Sequence, residues 1–243
     1  MSFDFVELTE RLERVSSRRV ALRQVSLADA WPLFQATRNE SFNEHLLWPQ
    51  PRHEAELLTR LNLITHEARK GRLCAVSAVV KQTGEWISLF RFLPHGRRPG
   101  AIEMGLWTHD RFWHGRYSLE IGRLCVAAAF SLSNVHTLIG ASAPANRSSC
   151  ELMRLVGLRP LELVRRPTEM GHEVDLQEFV IERQDWERAH RTRFELFEPA
   201  VALRGEAGTA ATVAPPGAPA PASPVPSGPL GLSARIDDPV TLP

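Results

Sequence analysis

Residues 102–124 read IEMGLWTHDRFWHGRYSLEIGRL. Ile102 to Trp107 forms a short strand, and Glu103 alternates with Ile102 and Met104 so that it takes one face of it. A polar loop containing Gly115 follows. From Tyr117 to Phe130 the period changes to that of a helix, with Ile121, Leu124, Cys125 and Ala128 on one face. Strand, turn and helix start together make an anion site, because free backbone N–H groups and the helix dipole converge on one point. Arg111 and Arg116 lie in that loop, and a pyrophosphate is the guest such a loop suits.

Upstream, Phe5, Leu8, Leu12 and Val15 suggest a short amphipathic helix over 4–16, and Val20 to Val25 a first strand. Ser26, with Asp29 three positions on, caps a helix that tolerates Pro32 near its start. His53–Lys70 forms a second helix ended by Gly71. Leu73–Lys81 and Trp86–Leu93 read as a hairpin around Gln82–Glu85. Downstream come a strand at Val135–Ile139, a helix over Arg147–Val156 closed by Gly157, and strands at Leu161–Arg165 and Val174–Glu182. This order predicts an α+β fold, with helices on both faces of a mixed, largely antiparallel sheet.

The whole chain has 243 residues, 43% apolar and 23% charged, with a net charge of +1. That disfavours an extended nucleic-acid surface as the main partner. Residues 204–243 are rich in Pro, Ala and Gly and carry no Lys and no aromatic residue. Such a segment buries too little apolar surface to offset its chain entropy and is expected to be a disordered tail. The predicted organisation is a helical extension at 1–18, a domain at 19–186, a terminal helix or linker at 187–203, and the tail. Cys74, Cys125 and Cys150 form no CxxC pair, which suits reduced thiols. Without a signal peptide or a long apolar run, a soluble cytoplasmic protein is expected. Phosphate-loop, dinucleotide, HExxH and GxSxG motifs are absent. The nine histidines are scattered, so no metal is expected.

A second stretch, PANRSSCELMRLVGL at 144–158, opens a helix with either Asn146 as cap or Ser148 and Glu151 as a capping box. With this pair in hand, the sequence resembles the GNAT superfamily of acyl-CoA-dependent N-acyltransferases. Within it the likeness is to the RimJ/RimL-like, ribosomal-protein N-terminal acetyltransferase branch, over about residues 19–186. IEMGLW is similar to the family strand EIGYW, and FWHGRYSLEI to its loop and helix start YWGRGYATEA. Asn146, Ser149, Leu152 and Gly157 match P-x-N-x-x-S-x-x-L/V-x-x-x-G-F, with Leu158 at the Phe position. The early segment VALRQVSLADAWPLF is similar to the family's first strand and helix. In the family loop Q/R-x-x-G-x-G/A, an ungapped match places Trp113, Arg116 and Ser118. Arg116 thus stands where the family has Gly, either obstructing a phosphate or adding charge to it. Helical φ/ψ at a helix start, as expected here, does not require Gly.

The resemblance implies an acetyl-CoA-dependent N-acetyltransferase acting on a primary amine, either a protein N-terminus or a small metabolite. The alternative is a degenerate GNAT-like domain that binds acyl-CoA or a protein without turnover. It implies that Met104–Trp107 splays from Leu138–Ala141 to hold the pantetheine arm. The implied cofactor contacts are Leu106, Trp107 and Thr108 on the strand, Arg111, His114, Gly115, Arg116, Tyr117 and Ser118 beyond it, and Asn146. Glu103 is the candidate base through water, with Glu169 as a second. Ser149 is the hydroxyl nearest the expected sulfur, and Tyr117, the single tyrosine, is placed to pack. Acceptor loops are expected in 37–53, 94–100 and 166–173; Trp48, Trp86, Trp107 and Trp113 line a pocket or fill the core, the core being the default reading.

Overall fold

The computed structural model of the protein describes residues 3–45 and 47–190. The expected tail and residues 191–203 lie outside them. Asp4 accepts a hydrogen bond from the Glu7 amide at 2.8 Å and opens helix α1, Phe5–Arg14. Leu8 and Leu12 of this helix are fully buried in the main core beside Leu22 and Cys74. The expected N-terminal extension is therefore part of the domain, because an apolar helix face is stabilised only where it shares a core.

Strand β1 (Val20–Gln24) leads through a 3-10 turn into α2 (Ala30–Ala36). The Ser26 amide donates to Asp29 Oδ2 at 2.8 Å, as the cap spacing predicts. A single helical turn, α3 (Glu40–Asn43), was not expected, since one turn is too short to show a period. Helix α4 (Glu54–Arg69) buries Leu57, Leu61 and Ile64. Strands β2 (Cys74–Val80), β3 (Trp86–Pro94) and β4 (Ala101–Thr108) follow as two antiparallel hairpins. Then come α5 (Tyr117–Ser131), β5 (Thr137–Ser142), α6 (Arg147–Val156), β6 (Arg159–Pro167), β7 (Glu173–Glu182) and α7 (Arg183–His190). The expected boundary at 186 falls inside α7, where Trp186 is buried with its ring 5.5 Å from that of Phe130.

The seven strands form one sheet in the order β1-β2-β3-β4-β5-β7-β6, and β4 with β5 is its one parallel pair. Alternate residues feed two cores, as the two-residue period of a strand requires. Cys74, Val76, Phe92, Ile102 and Leu138 pack with α1, α5 and α6. Ala75, Leu89 and Trp107 pack with α2 and α4. The mixed, largely antiparallel α+β architecture is thus the expected one. Among the described residues no helix is long and apolar enough to cross a membrane, and no three His, Cys, Asp or Glu side chains group to hold a metal.

Candidate functional site

β4 and β5 pair from Ala101 opposite Thr137 to Met104 opposite Gly140, and no further. From Gly105 to Thr108, β4 keeps only its partner β3. The opening starts later than expected, since Leu138, Ile139 and Gly140 still face Ile102, Glu103 and Met104. Ile102 and Leu138 are fully buried, and buried backbone groups need the ladder. Met104, Gly105 and Leu106 are half-buried, so there water can take the ladder's place. The result is a cleft in the sheet whose β4 wall offers unpaired backbone donors and acceptors.

The far end of that wall meets the amino end of α5. Thr108 Oγ1 and Ser118 Oγ lie 3.0 Å apart and tie strand to helix, and Trp113 Nε1 donates to the Thr108 carbonyl at 2.8 Å. Trp113 is therefore at the surface, 39% exposed, and not in the core as expected. Glu120 is the first amide of α5 to find a carbonyl, that of Arg116. The amides of Tyr117, Ser118 and Leu119 precede it and have no carbonyl of their own helix in reach. His114 and Gly115 close the 3-10 segment Asp110–Gly115.

Arg116 corrects one expectation. Its φ is +59° and its ψ +17°, the left-handed region, and it is the one non-glycine with positive φ among the described residues. The chain reverses here between the 3-10 segment and α5, and that reversal needs the left-handed conformation. A glycine at this motif position is thus explained by backbone geometry as well as by close approach to a phosphate. Arg111 pairs with Glu85 of the β2–β3 turn at 2.6 Å, both at the surface. The sequence did not single out Arg19, which lies 4.2 Å over the Tyr117 ring and pairs with Glu120 at 2.6 Å. It neutralises the one acid in the first turn of α5. Its position before β1 gave no local signal.

On the other side of the cleft, Asn146 Oδ1 accepts from the Ser149 amide at 3.1 Å, so Asn146 and not Ser148 caps α6. Ser149 is half-buried and Cys150 is buried. Burial pushes the Cys74 thiol up to about 12 and the Cys125 thiol well above its ordinary value, which leaves both as inert core groups.

Glu103 points to the opposite sheet face from α5 and α6. It is 8% exposed, and Arg166 Nη1 lies 2.9 and 3.0 Å from its two oxygens. Arg166 also donates to Glu178 Oε1 at 2.6 Å. Three expected loops meet around this point. The segment 94–100 supplies His95, 166–173 supplies Arg166, and Glu169 of the latter donates its amide to the carbonyl of Leu47 in 37–53 at 2.9 Å. Glu169 itself is held by Arg60 at 2.9 and 2.5 Å, and Arg60 lies 4.5 Å over the Trp48 ring. Trp48 packs 5.1 Å from Trp107. The sequence did not point to Arg166, Glu178 or His95, because their partnership spans three strands and a loop.

A family model described as an acetyltransferase (GNAT) domain matches residues 19–159. The chain belongs to the GNAT family. No curated protein matches it in sequence. Solved structures of similar fold include a GNAT-family acetyltransferase from Bacillus anthracis, 14% identical at TM-score 0.59 over 70% of this chain and 98% of that one. RimJ of Mycobacterium smegmatis in complex with a CoA disulfide is 17% identical at TM-score 0.57, over 71% and 90%. A ribosomal-protein-S5-alanine acetyltransferase from Vibrio fischeri is 14% identical at TM-score 0.57, over 71% and 97%. In this GNAT domain the cleft between β4 and β5, the amino end of α5 and the capped α6 lie together, and the enzyme class is N-acetyltransferase.

Proposed function

We propose that this GNAT domain transfers the acetyl group of acetyl-CoA to a primary amine, by direct attack without a covalent enzyme intermediate. The termination of the β4–β5 ladder at Met104 and Gly140, beside the amino end of α5, carries this reading. The backbone of Gly105–Trp107, without a strand partner on its β5 side, suits the amides of a pantetheine arm. The amides of Tyr117, Ser118 and Leu119, with Arg116 beside them, suit a pyrophosphate. Arg111, engaged with Glu85, would have to exchange partners to join them, and Gly115 and His114 would contribute through the loop backbone.

Acetyl-CoA supplies the activated acyl group. The chain's own part is to orient it, to bind an amine on the Glu103 face, to accept the amine's proton, and to stabilise CoA as it departs as a thiolate. A carboxylate has about four lone-pair sites, and Arg166 Nη1 engages one on each Glu103 oxygen, so two remain for a water or an ammonium group. These free sites support Glu103 as the group that draws a proton from the amine through water. Ser149, half-buried on the α6 side, is the hydroxyl that hydrogen-bonds the departing thiolate in this reading. Glu169, held by Arg60, is the second candidate base. The similar fold of the ribosomal-protein-S5-alanine acetyltransferase favours an amine on a protein, such as its N-terminus, as the acceptor.

The test is calorimetry with acetyl-CoA, then mass spectrometry of a panel of free-N-terminus peptides and small primary amines. Micromolar binding and acetylation of a peptide α-amine are expected. Absence of binding at millimolar acetyl-CoA would overturn the reading.

A further inference from the structure

Glu103 sits in a buried ion cluster that joins four parts of the sheet. Arg166 of β6 bridges Glu103 of β4 and Glu178 of β7, and all three side chains are at most 12% exposed. His95, after β3, completes it: Nε2 is 3.2 Å from Glu178 Oε1 and 3.7 Å from Glu103 Oε2. His95 Nδ1 accepts from the Arg97 amide at 3.3 Å, which places the ring proton on Nε2, directed at Glu178. Arg97 reaches Glu178 Oε1 at 2.7 Å from the rim. Arg91 of β3, fully buried, adds a further positive field on Glu103. β5, on the other flank of β4, faces Glu103 with Ile139 and brings no charge.

A cluster of this kind is not explained by stability alone, since buried ion pairs often do no better than apolar residues of similar volume. Its members differ in reach. Arg166 touches both carboxylates, whereas Glu178 bonds Arg166 and His95 bonds Glu178, and neither of the two hydrogen-bonds Glu103. Glu103 is also the one member on β4 next to the cleft, one residue before its ladder to β5 ends.

We infer that Arg166 is a positioning residue for acetyl transfer: it fixes the Glu103 carboxylate beside the cleft, and Glu178, itself held by His95, keeps Arg166 in place. This rests on the proposed acetyl transfer with Glu103 as proton acceptor. Arg166 contacts no substrate atom in this role. Hydrogen bonding by Arg166 and Arg97 outweighs desolvation and holds the Glu178 carboxyl below its ordinary range, consistent with a fixed anion behind Arg166.

The experiment is a double-mutant cycle in the full-length protein, using acetyl-CoA and whichever peptide or amine of the panel is turned over fastest. Glu103→Gln is expected to lower kcat by roughly a hundredfold. Arg166→Gln is expected to lower it by roughly tenfold or more, with the KM for acetyl-CoA within about threefold of wild type. Arg166→Lys keeps the charge and is expected to recover part of the loss. In the Glu103→Gln background neither Arg166 change is expected to lower kcat further. An additive loss there would mean that Arg166 acts through the fold at large, and would overturn the inference. So would an unchanged kcat in Glu103→Gln. Should Arg166→Gln fail to fold, the Arg166→Lys arm of the cycle measures the same coupling to Glu103. A wild-type protein that binds acetyl-CoA but acetylates nothing in the panel counts against the acetyltransferase reading itself. Wild-type turnover with an additive cycle counts against the inference alone.

Discussion

Asn146 Oδ1 and the Ser149 amide are 3.1 Å apart, so the two polar residues that the family pattern spaces three apart are partners in a helix cap. The cap and a cofactor contact are separable by substitution. Asn146→Ala is expected to cost about 1 kcal/mol of stability. Asn146→Asp keeps the accepting oxygen and so the stability, but loses the amide N–H donors. Denaturation midpoints near wild type, together with a several-fold weaker acetyl-CoA affinity by calorimetry, would establish both roles. An unchanged affinity would leave Asn146 as a cap only.

Arg116 sits at φ +59°, a conformation that costs an L-residue with a side chain roughly 1–2 kcal/mol. Glycine removes that cost while adding freedom to the unfolded chain. Arg116→Gly is therefore expected to raise stability by roughly 0.5–1 kcal/mol, read as an increase in the midpoint of thermal unfolding. A fall in that midpoint would show that the Arg116 side chain makes a compensating contact.

Helices α5 and α6 touch at Gly122, where an added Cβ would lie 2.8 Å from Val156 Cγ2. Valine is short and stiff at χ1, so it cannot swing aside. Gly122→Ala is expected to destabilise by roughly 1–3 kcal/mol through overpacking. Val156→Ala in the same chain should recover part of this, a sign of coupling that urea denaturation of the double variant would reveal.

The Glu178 carboxyl feels desolvation, which raises its pKa, but hydrogen bonds from Arg166 and Arg97 outweigh it and leave the pKa lowered from 4.5. A carboxyl depressed in the folded state contributes fully above its unfolded value and loses that contribution as pH falls through its folded value. Glu178→Gln is expected to cost roughly 3 kcal/mol at pH 7, because it leaves the buried Arg166 short of a counter-charge. The difference from wild type should shrink steadily as the pH drops below about 4.5. Urea denaturation across pH 3 to 7 measures it, and a difference independent of pH would refute the assignment.

The strand and helix spacings, the hairpin at 73–93 and the cleft-forming stretch 102–124 were legible in the sequence. Each is set by local hydrophobic period and by turn residues, which need no partner to be read. Asn146 and Ser149 were legible as a motif, though which residue capped the helix was not, because both Asn and Ser offer a suitable oxygen. The α1 helix was legible, but not its burial, which depends on β1, β2 and α5 closing over Leu8 and Leu12.

By itself the sequence determined the order of the seven strands and of the longer helices, the mixed α+β class and the two motifs beside the cleft. Tertiary structure alone decided where the β4–β5 ladder ends, that Arg116 turns left-handed, and that Arg166, Glu178 and His95 surround Glu103. The physical reason is range. Periodicity and capping act within a few residues of the chain, whereas Arg166 and Glu103 lie 63 residues apart and meet only once β7 has been inserted between β5 and β6.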